Sequence, residues 1–376
     1  MADNKLYIGI LTGTSMDSID CGIYRFNEDN YEILAFYENE YPLKIKNEIK
    51  QNLKELRKNH TESVLNIDIA NEFASIVNEI LLKENISSTD IKAIGMHGQT
   101  ISHLKENNQN ISIQLGSPKI LSKKTNIKVI SNFRQHDIDN GGEGAPLAPL
   151  FHDYFFKSKD KKRIILNIGG ISNVSLLANS NNKVSGYDTG PGNTLIDSWM
   201  RENYNVNYDN NGFEASSHKV IDSLLYNFME DDYLKMKSPK STTTEYFCYE
   251  WICKKLKITE NNYSKGDILS TLTMFSALSI LQSLKDNYSY CDEIYVCGGG
   301  AFNKTLMNNL NKLASKIFSN KVVINTTAGL GVNPKTVETG LFAWLAMSRV
   351  NNVILDYTNV TGSNKPLLIG TIYDPM

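Results

Sequence analysis

The chain has 376 residues, of which 41% are hydrophobic and 21% charged, and its formal net charge is −2. That length exceeds what a single core usually sustains, so two domains are expected. The near-neutral charge leaves no footprint for nucleic acid and no basic helix for a membrane surface, and no apolar run reads as a membrane span.

The start, Met1-Ala2-Asp3-Asn4-Lys5, lacks the apolar core of a signal peptide. Five cysteines form no Cys-x-x-Cys pair and the six histidines are scattered, so no zinc site is expected. An odd cysteine count without a secretion signal fits a reducing cytoplasm.

Residues 6–11 are a short apolar run broken by Gly9 and read as a first strand. Thr12-Gly13-Thr14-Ser15-Met16-Asp17 follows as a turn of small hydroxylated residues. Ile19, Cys21 and Ile23 then alternate with Asp20, Gly22 and Tyr24, as a half-buried strand does. The tip of this hairpin carries backbone donors, hydroxyls and carboxylates. A third strand is expected over 33–41 and helices over 44–57 and 63–83. The second helix shows a core stripe of Val64, Ile67, Ala70, Phe73, Ala74, Val77, Ile80 and Leu81.

A strand over 91–96 runs into His97-Gly98-Gln99-Thr100, at the carboxyl edge where open α/β sheets bind ligands. A lone histidine there is more often a hydrogen-bonded loop residue than a ligand contact. After 111–115 and a short helix, 129–130 leads into Asn132-Phe133-Arg134-Gln135-His136-Asp137. The glycine-dense Gly141-Gly142-Glu143-Gly144-Ala145-Pro146-Leu147 follows, its proline suited to starting a helix over 147–156. This stretch is expected to be the crossover between lobes.

Residues 164–168, the turn Gly169-Gly170-Ile171-Ser172-Asn173, and 174–177 repeat the strand–turn–strand pattern of 8–23. Two hairpins of one pattern, about 155 residues apart, point to duplicated lobes facing each other across a cleft. In Val184-Ser185-Gly186-Tyr187-Asp188-Thr189-Gly190-Pro191-Gly192-Asn193 an acid precedes two glycines, a proline and an asparagine, and a helical pattern follows. A fresh helix N-terminus is an anion site, and a carboxylate beside it suits phosphoryl transfer that needs a base. For an isolated Gly-Pro-Gly, a tight turn capping a structural helix is the commoner explanation.

A largely polar helical region covers 193–251, with a Lys/Ser/Thr segment, 235–244, expected to be a mobile surface loop. Residues 268–284 read as a buried packing helix. A strand over 293–297 empties into Gly298-Gly299-Gly300-Ala301-Phe302-Asn303 and a helix over 304–313. That arrangement lets a flat or charged cofactor lie on bare backbone, without the spacing of a P-loop or a dinucleotide fingerprint. Another strand is expected over 322–324. Asn333 and Pro334 open a helix over 334–349 with Glu338 near its start, and a strand over 367–372 ends the chain.

Seven stretches in this order resemble the anhydro-N-acetylmuramic acid kinase family, within the actin-like sugar-kinase and heat-shock ATPase superfamily, from Gly9 to about Tyr373. They are Gly13-Thr14-Ser15-Met16-Asp17-Ser18-Ile19-Asp20, Gly95-Met96-His97-Gly98-Gln99-Thr100, Asn132 through Leu147, Asn167 through Asn173, Asp188-Thr189-Gly190-Pro191-Gly192-Asn193, Gly298 through Asn303, and Asn333-Pro334 with Glu338. The resemblance implies an α/β protein of two actin-like, ribonuclease H-like lobes, with mixed sheets flanked by helices around a central cleft. The N-terminal lobe would be 1–134 with 339–376 and the C-terminal lobe 135–338.

The resemblance further implies a cytoplasmic homodimeric kinase of peptidoglycan recycling. With ATP and magnesium (Mg2+), such an enzyme opens 1,6-anhydro-N-acetylmuramic acid with water and yields N-acetylmuramic acid 6-phosphate. Asp188 would be the base that activates the water. Gly13, Thr14, Ser15, Met16, Asp17, Ser18, Ile19 and Asp20 would wrap the phosphates, with Asp17 in the magnesium shell through water. Gly169, Gly170, Thr189, Gly190, Gly192 and Asn193 would meet the phosphates from the other lobe. Gly298, Gly299, Gly300 and Asn303 would support the adenosine.

His97, Gln99, Arg134, Asp137 and Glu338 would contact the sugar. Arg134 also has the chemistry to bind the lactyl carboxylate of muramic acid. Ser18 stands where the family usually has glycine, Glu143 where it has glutamine, and Asp139-Asn140 replace a small-residue pair. The alternatives are another sugar or acetate-type kinase of the superfamily, or a non-enzymatic actin-like nucleotide switch. The switch would need partner insertions or an extra domain that this sequence does not show.

Overall fold

The computed structural model describes residues 3–27, 30–106, 109–178, 183–259, 263–288 and 290–375. The chain divides into unit 1, Met1–Phe155 with Thr336–Met376, and unit 2, Phe156–Lys335.

In unit 1, β1 (Asp3–Thr12), β2 (Ser18–Phe26) and β3 (Tyr31–Glu40) form an antiparallel meander. β4 (Ile91–Glu106) and β6 (Val129–Ser131) extend it in parallel beside β1. β5 (Gln109–Leu115) folds back on β4, and β12 (Thr371–Tyr373) pairs with β6 at the edge. The order is β12-β6-β4-β1-β2-β3.

Unit 2 winds the same way. β7 (Arg163–Ile168), β8 (Ile171–Leu176) and β9 (Ser185–Pro191) are the meander, and β10 (Glu293–Cys297) and β11 (Val323–Thr326) add in parallel, in the order β11-β10-β7-β8-β9. The two hairpins of like sequence pattern are therefore the first hairpins of two like-wound mixed sheets, as the α/β expectation requires.

A row of glycines seats one helix on the unit 1 sheet. Gly9 pairs with Gly22 on β2 and with Gly95 on β4, and the helix Val337–Val350 lies against this row. A Cβ on Gly9 would collide with the Thr339 carbonyl, and one on Gly95 with that of Phe342. Tyr24, on the same face, donates its hydroxyl to the Thr336 carbonyl at 2.8 Å.

The opposite face is covered by the helix Val64–Lys83, started by Ser63, whose Oγ accepts the Leu65 N–H at 3.2 Å. Its buried stripe runs through Leu65, Ile69, Phe73, Val77 and Ile80. Val64 and Ile67, expected in that stripe, are 68% and 43% exposed. The 65/69/73 phase, rather than 64/67, matches the sheet, because side chains three and four apart share one helical face.

The segment 135–155 was expected in the C-terminal lobe but belongs to unit 1, as do Thr336, Val337 and Glu338. Side chains hold it there. Asp137 accepts the Thr361 hydroxyl at 2.7 Å, His136 Nδ1 accepts the Gly370 N–H at 3.1 Å, and Phe151 lies 5.5 Å from Tyr31 and 5.8 Å from Trp344 by ring centres.

In unit 2 the helix Lys265–Asn287 is the one helix among the described residues with the length and hydropathy of a bilayer span. It is 78% buried over its most apolar window, as expected of a packing helix. All five cysteines are free.

Gly95→Ala should force the Val337–Val350 helix off the sheet. We expect a loss of about 1–3 kcal/mol, read as a lower urea midpoint with an unchanged slope.

Candidate active site

At the tip of the β1–β2 hairpin the Met16 N–H donates to the Gly13 carbonyl at 3.1 Å, with Met16 at φ 53°. Met16 leans on the core, which leaves Gly13, Thr14 and Ser15 exposed. Ile19, expected among the phosphate contacts, is instead a core residue, since β2 has already begun there.

Gln99 corrects a second expectation. It is fully buried, and its Nε2 donates to the carbonyls of Gly13 (3.3 Å) and Thr100 (3.0 Å), while its Oε1 accepts the Thr12 hydroxyl at 3.2 Å. A buried amide must be satisfied, and this one ties the hairpin to β4 rather than meeting a sugar. The Asp17 carboxylate pairs with Lys46 at 3.0 Å. Ser18 donates to Asp20 Oδ1 at 2.8 Å, so the residue that departs from glycine orients a carboxylate.

Arg134 Nε donates to His97 Nε2 at 2.9 Å, and its Nη1 donates to the Gly144 carbonyl at 2.9 Å. An arginine N–H can only donate, so His97 Nε2 accepts and the ring is neutral. Burial, and next the Arg134 charge, hold His97 well below its ordinary value.

Asp137, expected at the sugar, is fully buried. Its Oδ2 accepts the Gly144 N–H at 2.8 Å and its Oδ1 the Thr361 hydroxyl. A Cβ on Gly142 would strike this carboxylate, so Asp137 staples the glycine loop. Burial raises its pKa, against the bonds from Thr361 and Gly144. Glu338 is exposed in the first turn of the helix Val337–Val350, and Glu143 is exposed on the glycine loop.

In unit 2, Asp188 sits half-buried on β9, next to an irregularity in the β8–β9 register. Its N–H donates to the Lys240 carbonyl at 3.0 Å. Its carbonyl accepts the Tyr233 hydroxyl at 2.7 Å, and its Oδ2 accepts the Thr242 N–H at 3.0 Å. The segment 235–244, expected to be a mobile surface loop, is thus the wrapping of Asp188. Its Lys/Ser/Thr composition gives no sign of that, because its bonds to Asp188 run through backbone groups.

Thr189 is buried, with its hydroxyl paired to Ser172 at 2.7 Å rather than presented to a ligand. The entry to the helix Thr194–Tyr204 is partly capped by backbone carbonyls. The N–H groups of Gly192 and Thr194 reach the Gly170 carbonyl, and that of Asn193 the Gly169 carbonyl, at 2.8–3.0 Å. The β7–β8 turn therefore meets the entry to this helix, and the N–H groups of Gly192 and Asn193, expected to face the phosphates, are already bonded to its carbonyls.

Asn303, expected at the adenosine, is the buried N-cap of the helix Lys304–Ile317, accepting the Leu306 N–H at 2.9 Å. Gly298, at φ 80°, and Gly300 are required by the close approach of Asn167 and Ile168.

Among the glycines whose surroundings are described, three have no packing or dihedral demand. A Cβ on Gly13, Gly169 or Gly299 would meet no atom nearer than 3.6 Å, and none of the three has a left-handed φ. One lies on the β1–β2 turn, one on the β7–β8 turn and one after β10. Bare backbone without a packing reason is what a phosphate chain or nucleoside resting on the turn would use, so these positions fit ATP. No group of three or more His, Cys, Asp or Glu side chains among the described residues could cage a metal ion.

Two like-wound α/β units, each with a glycine free of packing demands on its first hairpin, define a two-unit α/β protein whose turns suit a nucleotide. A family model described as anhydro-N-acetylmuramic acid kinase matches residues 5–375. An anhydro-N-acetylmuramic acid kinase of Shewanella pealeana is 37% identical over 379 residues, covering 99% of each chain. One of Legionella pneumophila (strain Corby) is 35% identical over 374 residues, covering 98% of each. The chain belongs to the anhydro-N-acetylmuramic acid kinase family. A solved structure of the activator of 2-hydroxyisocaproyl-CoA dehydratase from Clostridium difficile with bound ADPNP aligns with 92% of this chain and 96% of its own, at TM-score 0.43 and 14% identity, too loosely to add to that assignment.

Gly13→Ala and Gly169→Ala should leave the unfolding free energy from urea titration within about 0.5 kcal/mol of wild type while raising KM for ATP severalfold. A pronounced loss of stability in either would mean that the glycine serves packing.

Acid should weaken unit 1. Burial holds His103 at about 4 and His152 at about 3, against an ordinary 6.5. The unfolded chain takes up these protons first, so their contribution to stability is complete above about pH 6.5 and is lost as pH falls toward 4 and then 3. Urea midpoints measured from pH 7 to 4 should fall, and His103→Gln should flatten the decline.

Proposed function

We propose that this kinase uses ATP and water to convert 1,6-anhydro-N-acetylmuramic acid into N-acetylmuramic acid 6-phosphate and ADP, in the recycling of cell-wall peptidoglycan. The observation that carries the reading is the Asp188 carboxylate, held by the Thr242 amide on a strand whose backbone is pinned by Lys240 and Tyr233.

In this scheme Asp188 accepts a proton from water as the water oxygen bonds to the anomeric carbon. The bond from that carbon to O6 breaks. O6 then bonds to the γ-phosphorus, and the bond to the β–γ bridging oxygen breaks, leaving ADP. A positioned carboxylate contributes on the order of 10²–10⁴-fold to such a proton transfer.

We assign the phosphates to the turns bearing Gly13, Thr14, Ser15 and Gly169, and the adenosine to Gly299. The sugar is assigned to His97, Arg134 and Glu338, with Gln99 and Asp137 holding those elements in place. Magnesium bound to the phosphates would supply charge neutralisation there, with Asp17 in reach only through water because Lys46 already pairs with it.

The cytoplasm is the compartment that five free cysteines favour. A homodimer is the assembly implied by the family resemblance; a sedimentation mass of one chain would exclude it.

Asp188→Asn should bind ATP nearly as well as wild type and lose turnover; near-normal turnover would remove Asp188 as the base. In ¹⁸O-water the label should appear at the anomeric oxygen of the product, whereas label only in phosphate would signal plain ATP hydrolysis. ADP release should be faster with the anhydro sugar than with N-acetylmuramic acid, N-acetylglucosamine, glucose or acetate.

A further inference from the structure

Lys240 is a lysine only 7% exposed that the scheme above does not use. Its Nζ donates to the carbonyls of Tyr233 (3.3 Å) and Leu234 (3.4 Å) and lies 4.7 Å from the centre of the Tyr233 ring. Through the same residue the arrangement returns to Asp188. The Tyr233 hydroxyl donates to the Asp188 carbonyl, the Lys240 carbonyl accepts the Asp188 N–H, and two residues further on the Thr242 N–H meets Asp188 Oδ2.

An ammonium withdrawn from water is costly unless acceptors and opposite charge surround it. Burial lowers the Lys240 pKa, and the carboxylates of Asp286 and Asp188 oppose that fall. A polar loop would ordinarily leave such a side chain in solvent. Here the ammonium is drawn inward, and the loop comes with it.

We propose that Lys240 is a positioning residue for the Asp188 base: its buried ammonium holds the segment 238–244 inward, so that the Thr242 amide fixes the carboxylate, and its charge stabilises that carboxylate in ionised form. This rests on reading Asp188 as the base. Lys240 brings a positive charge close enough to feel the Asp188 carboxylate. Tyr233 is pushed above the ordinary phenol range and Tyr187 up to about 12, so both are neutral in the working range. Asp286, on the helix Lys265–Asn287, adds a negative charge of opposite effect.

The test is the pH dependence of kcat/KM for the enzyme with ATP and the anhydro sugar. In Lys240→Met, which keeps the apolar stem, the acid limb should move to higher pH by on the order of one unit, and Lys240→Arg should bring it back toward wild type. Thr242→Pro removes the N–H while leaving the charges in place and should move the limb in the same direction. A limb that stays put in Lys240→Met while kcat merely falls overturns the proposal. If Lys240→Met does not unfold cooperatively, Thr242→Pro decides alone, and an unmoved limb there overturns it equally. Asp188→Asn keeps the two ideas apart: near-normal turnover removes the base itself, whereas a dead Asp188→Asn with unmoved limbs removes only the role of Lys240.

Discussion

A carboxylate taken partly out of water has to be met by donors, and the region around Asp188 is built to that requirement. The donor to Oδ2 is a backbone amide, Thr242, and the strand carrying the acid is pinned at its own N–H and carbonyl. Backbone partners suit this task because they have no rotamers to lose. A segment dispersed among Lys, Ser and Thr can therefore do ordered work without an apolar side chain at the contact.

The glycines sort into two kinds under the same physical test. Gly9, Gly95, Gly142, Gly298 and Gly300 stand where another backbone or a buried side chain leaves no space for a Cβ. Gly13, Gly169 and Gly299 stand where a Cβ would make only ordinary van der Waals contact, with no left-handed φ. The first kind lets layers approach closely and so builds the units. The second kind has no such cause inside the protein, and the turns that carry it are left with bare backbone.

Several side chains that look like ligand contacts are occupied in holding the turns. Gln99 ties the β1–β2 hairpin to β4, Asp137 staples the glycine loop, Thr189 pairs with Ser172, and Asn303 caps a helix. Each is buried, and a buried polar group finds a partner close by in the fold. Arg134 and His97 form a pair in which the histidine stays neutral, so the arginine charge is not quenched by a neighbouring anion at that nitrogen.

The amino-acid sequence by itself determined the strand–turn–strand repeat, the glycine-rich turns, the buried helix near 268–284 and the family resemblance, because periodicity, glycine placement and motif order are local properties. It also singled out Asp188. Only the tertiary structure decided which polar residues are free to act and which are fastened. Whether Gln99 meets a ligand or a carbonyl depends on what lies beside it after folding, and Gly13 is 86 positions away in the chain. The same holds for the segment 235–244, whose composition reads as solvent-exposed. A buried lysine and one backbone N–H, invisible to any pattern of residue types, turn it into the support of the acid.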